Sequence, residues 1–103
     1  MSKRVEMLEK LVATGKADAF ALYALAMEYR NADRADDALR TFEQLRVANP
    51  EYLAMYLMAG QLVESMGNAA SARIWLEAGI ALATKQGNAK AKSELVAALE
   101  ACS

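Results

Sequence analysis

Acid–base, nucleophilic and metal chemistry at neutral pH lean on histidine and cysteine, and this chain of 103 residues has no histidine and a single cysteine, Cys102. That removes the usual general base, the commonest metal ligand and any disulfide within one chain. Thirteen acidic and twelve basic residues remain, but they form no acid pair, phosphate-binding loop or nucleophile–base set. Glu6 with Lys10 and Asp36 with Arg40, four residues apart, read as solvent-face helix pairs contributing roughly a few tenths of a kcal/mol each. Cys102, second from the C-terminus, reads as a free thiol at a fraying helix end. No catalytic, metal or cofactor residue is assigned, and the chain is expected not to be an enzyme.

Apolar residues make up 55% of the chain and charged ones 24%, a balance that buries a core. The formal net charge of -1 supplies no overall field to draw nucleic acid or an anionic membrane. The scattered basic residues are not interleaved with aromatics, so neither nucleic acid nor membrane is expected as a partner. The N-terminus mixes Lys3, Arg4, Glu6, Glu9 and Lys10 with Val5, Met7, Leu8 and Leu11. That is an amphipathic helix rather than a secretory signal, and a cytoplasmic location is expected.

With little reactive chemistry available, the apolar residues carry the function, and helices must position them. Apolar spacing and punctuation predict six short helices near 3–13, 18–31, 34–47, 51–65, 69–84 and 88–101, an all-α chain. Gly15, Gly67 and Gly87 can take the left-handed conformation that ends a helix, and Asn68 and Asn88 follow as cap candidates. Asn49-Pro50 reads as a cap followed by a first-turn proline. Links of two to five residues imply antiparallel neighbours.

A register of 34 residues runs through these elements. Leu22, Leu25, Ala26, Tyr29, Ala38, Phe42 and Pro50 are echoed by Tyr56, Ala59, Gly60, Val63, Ala72, Leu76 and Thr84. Repeats of helix, turn and helix at this period mark a solenoid that presents a surface. Small residues stand where paired helices would cross, at Ala26 with Ala38 and at Gly60 with Ala72.

The first of these units resembles a tetratricopeptide repeat, whose pattern runs W-x2-L-G-x2-Y, A-x3-F, P. Leu22-x2-Leu25-Ala26-x2-Tyr29, Ala38-x3-Phe42 and Pro50 carry the resemblance, with Leu22 in the tryptophan place and Ala26 in the glycine place. The second unit is more degenerate; Gly60, Gly67 and Ala72 keep small residues where the family has them, and Leu76 stands for the phenylalanine. The resemblance implies a short right-handed α-solenoid of antiparallel helix pairs in a single domain, 1–103. Its expected parts are an N-terminal half-repeat helix (1–15), repeat 1 (19–52), repeat 2 (53–86) and a C-terminal capping helix (87–103).

In this family the first helix of each unit lines a concave groove that takes a protein or peptide partner. Carried onto this chain, the first stripe is Phe20, Tyr23, Ala24, Met27, Arg30 and Asn31. The second is Ala54, Leu57, Met58, Gln61, Glu64 and Ser65, with Lys92 beside Arg30 as an electrostatic contact at the edge. The segments 19–27 and 52–60 are apolar almost all round, a pattern of burial on every side. A surplus of apolar surface needs an occupant. An adaptor or scaffold function follows, with an amphipathic helix or apolar segment in the groove, aromatics as anchors and methionines as adaptable contacts. Tyr23, Met27 and Met58 stand where one subgroup of the family uses polar residues to grip a C-terminal carboxylate, so that mode is not expected.

Self-association is the alternative, through the groove or through Trp75. Ile74, Trp75 and Leu76 span about 200° of a helix and cannot all face one core. The indole is expected either to lie over Gly79 beneath the capping helix or to form an outer contact. A chaperone for an export-bound or pilus-type subunit is a narrower version of the binding function, and no residue singles it out.

Overall fold

The computed structural model describes residues 2–102, and every regular element among them is a helix. In chain order these are α1 (Lys3–Ala13), α2 (Ala19–Asn31), α3 (Ala35–Ala48), α4 (Ala54–Ser65), α5 (Ala69–Gln86) and α6 (Ala89–Ala101). The all-α class and the six helices expected from periodicity are both present. The helices fall into two compact units, Met1–Pro50 with α1 to α3 and Glu51–Ser103 with α4 to α6.

Short polar side chains start four of the helices by accepting an orphan backbone N–H of the first turn. Ser2 Oγ accepts from Val5 at 3.2 Å, Asp18 Oδ1 from Ala21 at 2.8 Å, Asn68 Oδ1 from Ser71 at 3.0 Å and Asn88 Oδ1 from Ala91 at 3.0 Å. Both asparagine caps stand where the sequence placed them. Gly87 ends α5 in the left-handed region, at φ 69°, two residues beyond the expected boundary.

Two local readings are corrected. Asn49 caps the C-terminus of α3 at φ -143°, and α4 begins only at Ala54, behind Leu53. Pro50 therefore lies in the connecting turn and not in a first helical turn. A residue before proline is driven out of the α region, which stops α3 at Asn49 rather than launching the next helix. The second correction concerns Arg40, whose guanidinium pairs with Asp37, three residues back, in place of Asp36.

The α2–α3 turn holds a feature that went unread. Asp33 sits at φ 59°, the sole non-glycine residue with positive φ among those described. In the 34-residue register it matches Gly67, at φ 86°. The same turn is thus made with glycine in one repeat and with aspartate in the other, a residue that tolerates the left-handed region better than most.

The first unit closes around Leu22, Leu25 and Ala26 of α2 and Ala38, Phe42 and Leu45 of α3, with Val5 and Leu8 of α1 covering one side; all are buried. Ala26 and Ala38 are both 0% exposed, as close helix crossing requires. In the second unit Met55, Tyr56, Ala59 and Val63 of α4 pack with Ala72, Trp75 and Leu76 of α5, and α6 contributes Leu95. A Cβ added to Gly60 would lie 2.7 Å from Leu76 Cδ2, so at this crossing any side chain would have to displace Leu76.

Trp75 is no outer contact: its side chain is 4% exposed, with the indole centroid 6.0 Å from the Tyr56 ring. The atoms nearest Gly79 belong to Tyr56 and Leu95, each within 3 Å of where its Cβ would be. Ile74 takes the exposed position instead, at 59%. Cys102 is likewise buried, its Sγ 3.5 Å from the Ala69 carbonyl, so the C-terminal thiol docks on the start of α5 rather than fraying into solvent.

Candidate functional site

α2 carries two faces. Leu22, Leu25, Ala26 and Tyr29 turn into the core, and the opposite stripe holds Phe20, Tyr23 and Met27 at helical spacing. Phe20 is 66% exposed, an unusual position for a phenylalanine in the first turn of a core helix. Tyr23 and Met27 are half-buried, and the Tyr23 ring meets the buried Phe42 edge-on at a centroid distance of 6.4 Å. The core thereby holds the aromatic that faces outward.

These residues line an open depression of about 370 Å³ with Ala24, Glu28, Asn31 and Arg4. Five of the six first-stripe residues named from sequence meet there, Ala24 buried at its floor. Arg30 is not among the lining residues; its Nη2 donates to Asn31 Oδ1 at 3.4 Å. The sequence did not place Arg4 and Glu28 here. Arg4 Nε lies 2.9 Å from Glu28 Oε1, an ion pair from α1 to α2 at the rim. Helical pattern within α2 carries no information about which α1 residue approaches it, so nothing local could have pointed to Arg4.

In the second unit, Ala54, Gln61 and Glu64 are exposed on α4, and Leu57 and Met58 are half-buried. Ser65 is exposed, and its hydroxyl donates to the Leu62 carbonyl at 2.6 Å. Lys92 lines a hollow of about 210 Å³ at the α5–α6 turn, with Ala83, Thr84, Gly87, Asn88 and Ala89. Of the residues that hold the repeat scaffold together, Pro50 and Gly67 are exposed turn residues, and Leu22, Leu25, Ala26, Tyr29, Ala38, Phe42, Gly60, Ala72 and Leu76 are buried.

A second constellation in the first unit was missed altogether. Tyr29 donates its hydroxyl proton to the Glu9 carboxylate of α1, and the Arg34 guanidinium lies 4.5 Å from the centre of the Tyr29 ring. Arg34 Nε donates to Asp37 Oδ2 at 2.9 Å, and Arg40 donates to the other oxygen of the same carboxylate. The two guanidinium groups hold the Asp37 carboxyl below the usual carboxylate range. Burial, reinforced by the Glu9 carboxylate, pushes the Tyr29 phenol up to about 12. Glu9, Tyr29, Asp37 and Arg40 border a hollow of about 320 Å³ with Val12, Leu25 and Thr41. Only the i±3 spacing of Arg34, Asp37 and Arg40 was legible in sequence; Glu9 lies twenty residues from Tyr29.

The Cys102 thiol is pushed up by burial and by the neighbouring Glu64 carboxylate, the opposite of an activated nucleophile. Among the described residues, no group of three His, Cys, Asp or Glu is arranged to hold a metal ion, and no helix is long and apolar enough to cross a membrane.

No protein-family model matches the chain. It is 35% identical to a tetratricopeptide repeat domain protein from Salinibacter ruber, whose crystal structure superposes with a TM-score of 0.79 over 84% of this chain and 96% of that one. The solution structure of a Bordetella parapertussis protein gives a TM-score of 0.84 at 25% identity, over 99% of this chain and 89% of that one. A TPR repeat-containing protein of Pseudomonas aeruginosa is 30% identical over 91 residues, 88% of this chain and 87% of its relative. With the helix pairs, the small residues at their crossings and this identity over most of both sequences, the chain belongs to the tetratricopeptide repeat proteins.

Proposed function

We propose that this protein is a non-catalytic adaptor that binds an amphipathic helix or an apolar segment of another protein along the outward stripe of α2. The carrying observation is the α2 depression, where Phe20 stands 66% exposed beside Tyr23 and Met27. An exposed phenylalanine costs apolar surface in water, roughly 25 cal/mol per Å², which covering it by a partner would recover. Family membership supports the reading, because tetratricopeptide repeat proteins generally mediate protein–protein interaction. Tyr23 serves as the anchor, pre-oriented by its contact with Phe42, so little side-chain entropy is lost on binding. Met27 is the adaptable contact. In the second unit we assign Leu57, Met58 and Gln61 of α4 the same role.

Site-specific photocrosslinking in the native cell tests the assignment. A photoreactive side chain at Phe20 should trap a discrete product, and one at Val47, 86% exposed on α3, should not. Equal trapping from both positions, or none from Phe20, would remove α2 as the binding surface.

A further inference from the structure

We propose that a groove on the core-facing side of α2, between α1 and α3, takes a short extended segment of another protein in which a basic and an acidic residue stand side by side. The surface is separate from the outward stripe of α2 and does not depend on it, since no residue lines both. Two hollows make the groove, one of about 320 Å³ and one of about 210 Å³, and they share Val12 of α1 and Gln44 of α3. Leu22, Leu25 and Tyr29 of α2, all buried, form the floor. Glu9 and Val12 stand on the α1 wall, and Asp37, Arg40 and Gln44 on the α3 wall. Val47 lines neither hollow.

The shape selects an extended chain. From Leu22 to Tyr29 the floor runs about 10 Å along the helix axis, the length of about three extended residues. A helix, about 10 Å across with its side chains, would ride above hollows of this size. Gln44 borders both hollows, and its amide makes no hydrogen bond to any of the described residues. Its one carbonyl and one NH2 group match the N–H and C=O that a residue of an extended segment leaves open.

The charges at the Tyr29 end set the sequence of the occupant. On the α1 wall Glu9 accepts the Tyr29 hydroxyl, and no cation among the described residues lies within ion-pair distance of its carboxylate. On the α3 wall Asp37 is held by two guanidinium groups, those of Arg34 and Arg40, so that wall carries one positive charge in surplus. Arg34 is turned to the Tyr29 ring, which leaves Arg40, exposed and lining the hollow, to face an occupant. This end of the groove is thus negative on one side and positive on the other. Successive side chains of an extended segment point to opposite sides. A basic residue directed at Glu9 therefore sends its neighbour to Arg40, where an acidic residue fits; a lone charge or a like-charged pair would be repelled by one wall. The other end, at Val12, Ala17, Leu22 and Ala48, is lined by no charged residue and takes small apolar side chains.

Selection from a displayed library of random peptides, run against the wild-type chain, Glu9→Gln and Arg40→Gln below the melting transition of all three, tests the groove. The wild-type pool should be enriched in adjacent basic and acidic residues beside small apolar ones. Glu9→Gln keeps an acceptor for the Tyr29 hydroxyl and should lose the basic preference. Arg40→Gln leaves Asp37 with Arg34 and should lose the acidic one. A synthetic peptide of the wild-type consensus should bind each variant about threefold more weakly, the effect of one partly exposed ion pair. The same peptide should bind Phe20→Ser as it binds the wild type. No enrichment from the wild-type chain, or the same charge preference from all three chains, would overturn the groove and leave the outward stripe of α2 untouched. Loss of the peptide in Phe20→Ser would overturn it as well, by moving the bound segment to that stripe.

Discussion

The Tyr29 phenol donates a hydrogen bond to the Glu9 carboxylate, tying α2 to α1 across twenty residues. Two buried side chains, Val5 and Leu8, are what α1 contributes to the core. Its attachment therefore depends more on two polar links to α2, this one and the Arg4–Glu28 ion pair, than that of the other helices of its unit. A hydrogen bond to a charged acceptor contributes roughly 1.5–3 kcal/mol when shielded from water. Glu9 is half-exposed, which places this one toward the lower end.

Tyr29→Phe should accordingly cost about 1.5 kcal/mol in urea unfolding at neutral pH. The phenol also sets an alkaline limit. Its folded pKa of about 12 lies above the ordinary 10.0, so its contribution is fully present below pH 10 and is lost as pH rises toward 12. Chemical unfolding followed between those values should show the loss in the wild type and a flatter curve in Tyr29→Phe.

The two core glycines should respond unequally to alanine. On Gly60 the new methyl would lie 2.7 Å from Leu76 Cδ2 and 2.8 Å from its Cγ, side-chain atoms that must shift within a buried core, and the gain of about 1 kcal/mol in helix propensity offsets part of that strain. On Gly79 it would lie 2.7 Å from Tyr56 Cβ, an atom fixed to the backbone of α4. Gly79→Ala should therefore cost about 1–3 kcal/mol, and Gly60→Ala a smaller amount toward the low end of that range, by thermal or urea unfolding.

Asp33→Gly should stabilise the chain by about 0.5 kcal/mol. Relief of a non-glycine residue at φ 59° outweighs the added freedom of the unfolded chain. A fall in melting temperature on this substitution would show that the aspartate side chain contributes more than its backbone strain costs.

Cys102 should react with a soluble disulfide reagent at least about tenfold more slowly in the native chain than in urea, because its thiol is buried and its pKa raised. Equal rates would place the last turn of α6 off α5 for much of the time.

Phe20→Ser should leave the melting temperature within a degree or two of wild type, since a side chain 66% exposed loses little packing. The same substitution should abolish whatever association the α2 face supports, read by sedimentation and crosslinking. A large loss of stability would mean instead that Phe20 is part of the core.

The sequence by itself determined the local and periodic facts: six helices, asparagine caps, glycine stops, and small residues wherever a pair must cross. Each depends on neighbours within a few positions or on the 34-residue repeat, and such neighbours are on the same line of text. The outward stripe of α2 was legible for the same reason, since helical spacing assigns Phe20, Tyr23 and Met27 to one face once Leu22, Leu25 and Tyr29 claim the other. Tertiary structure alone decided which distant residues meet. Arg4 reaches Glu28, Glu9 takes the Tyr29 proton, Trp75 turns to Tyr56 and leaves Ile74 outside, and Cys102 docks on Ala69. Each of these follows from how one helix packs across another, and the hydrophobic pattern that drives packing is non-directional: it says which face is buried but not which side chain lies opposite.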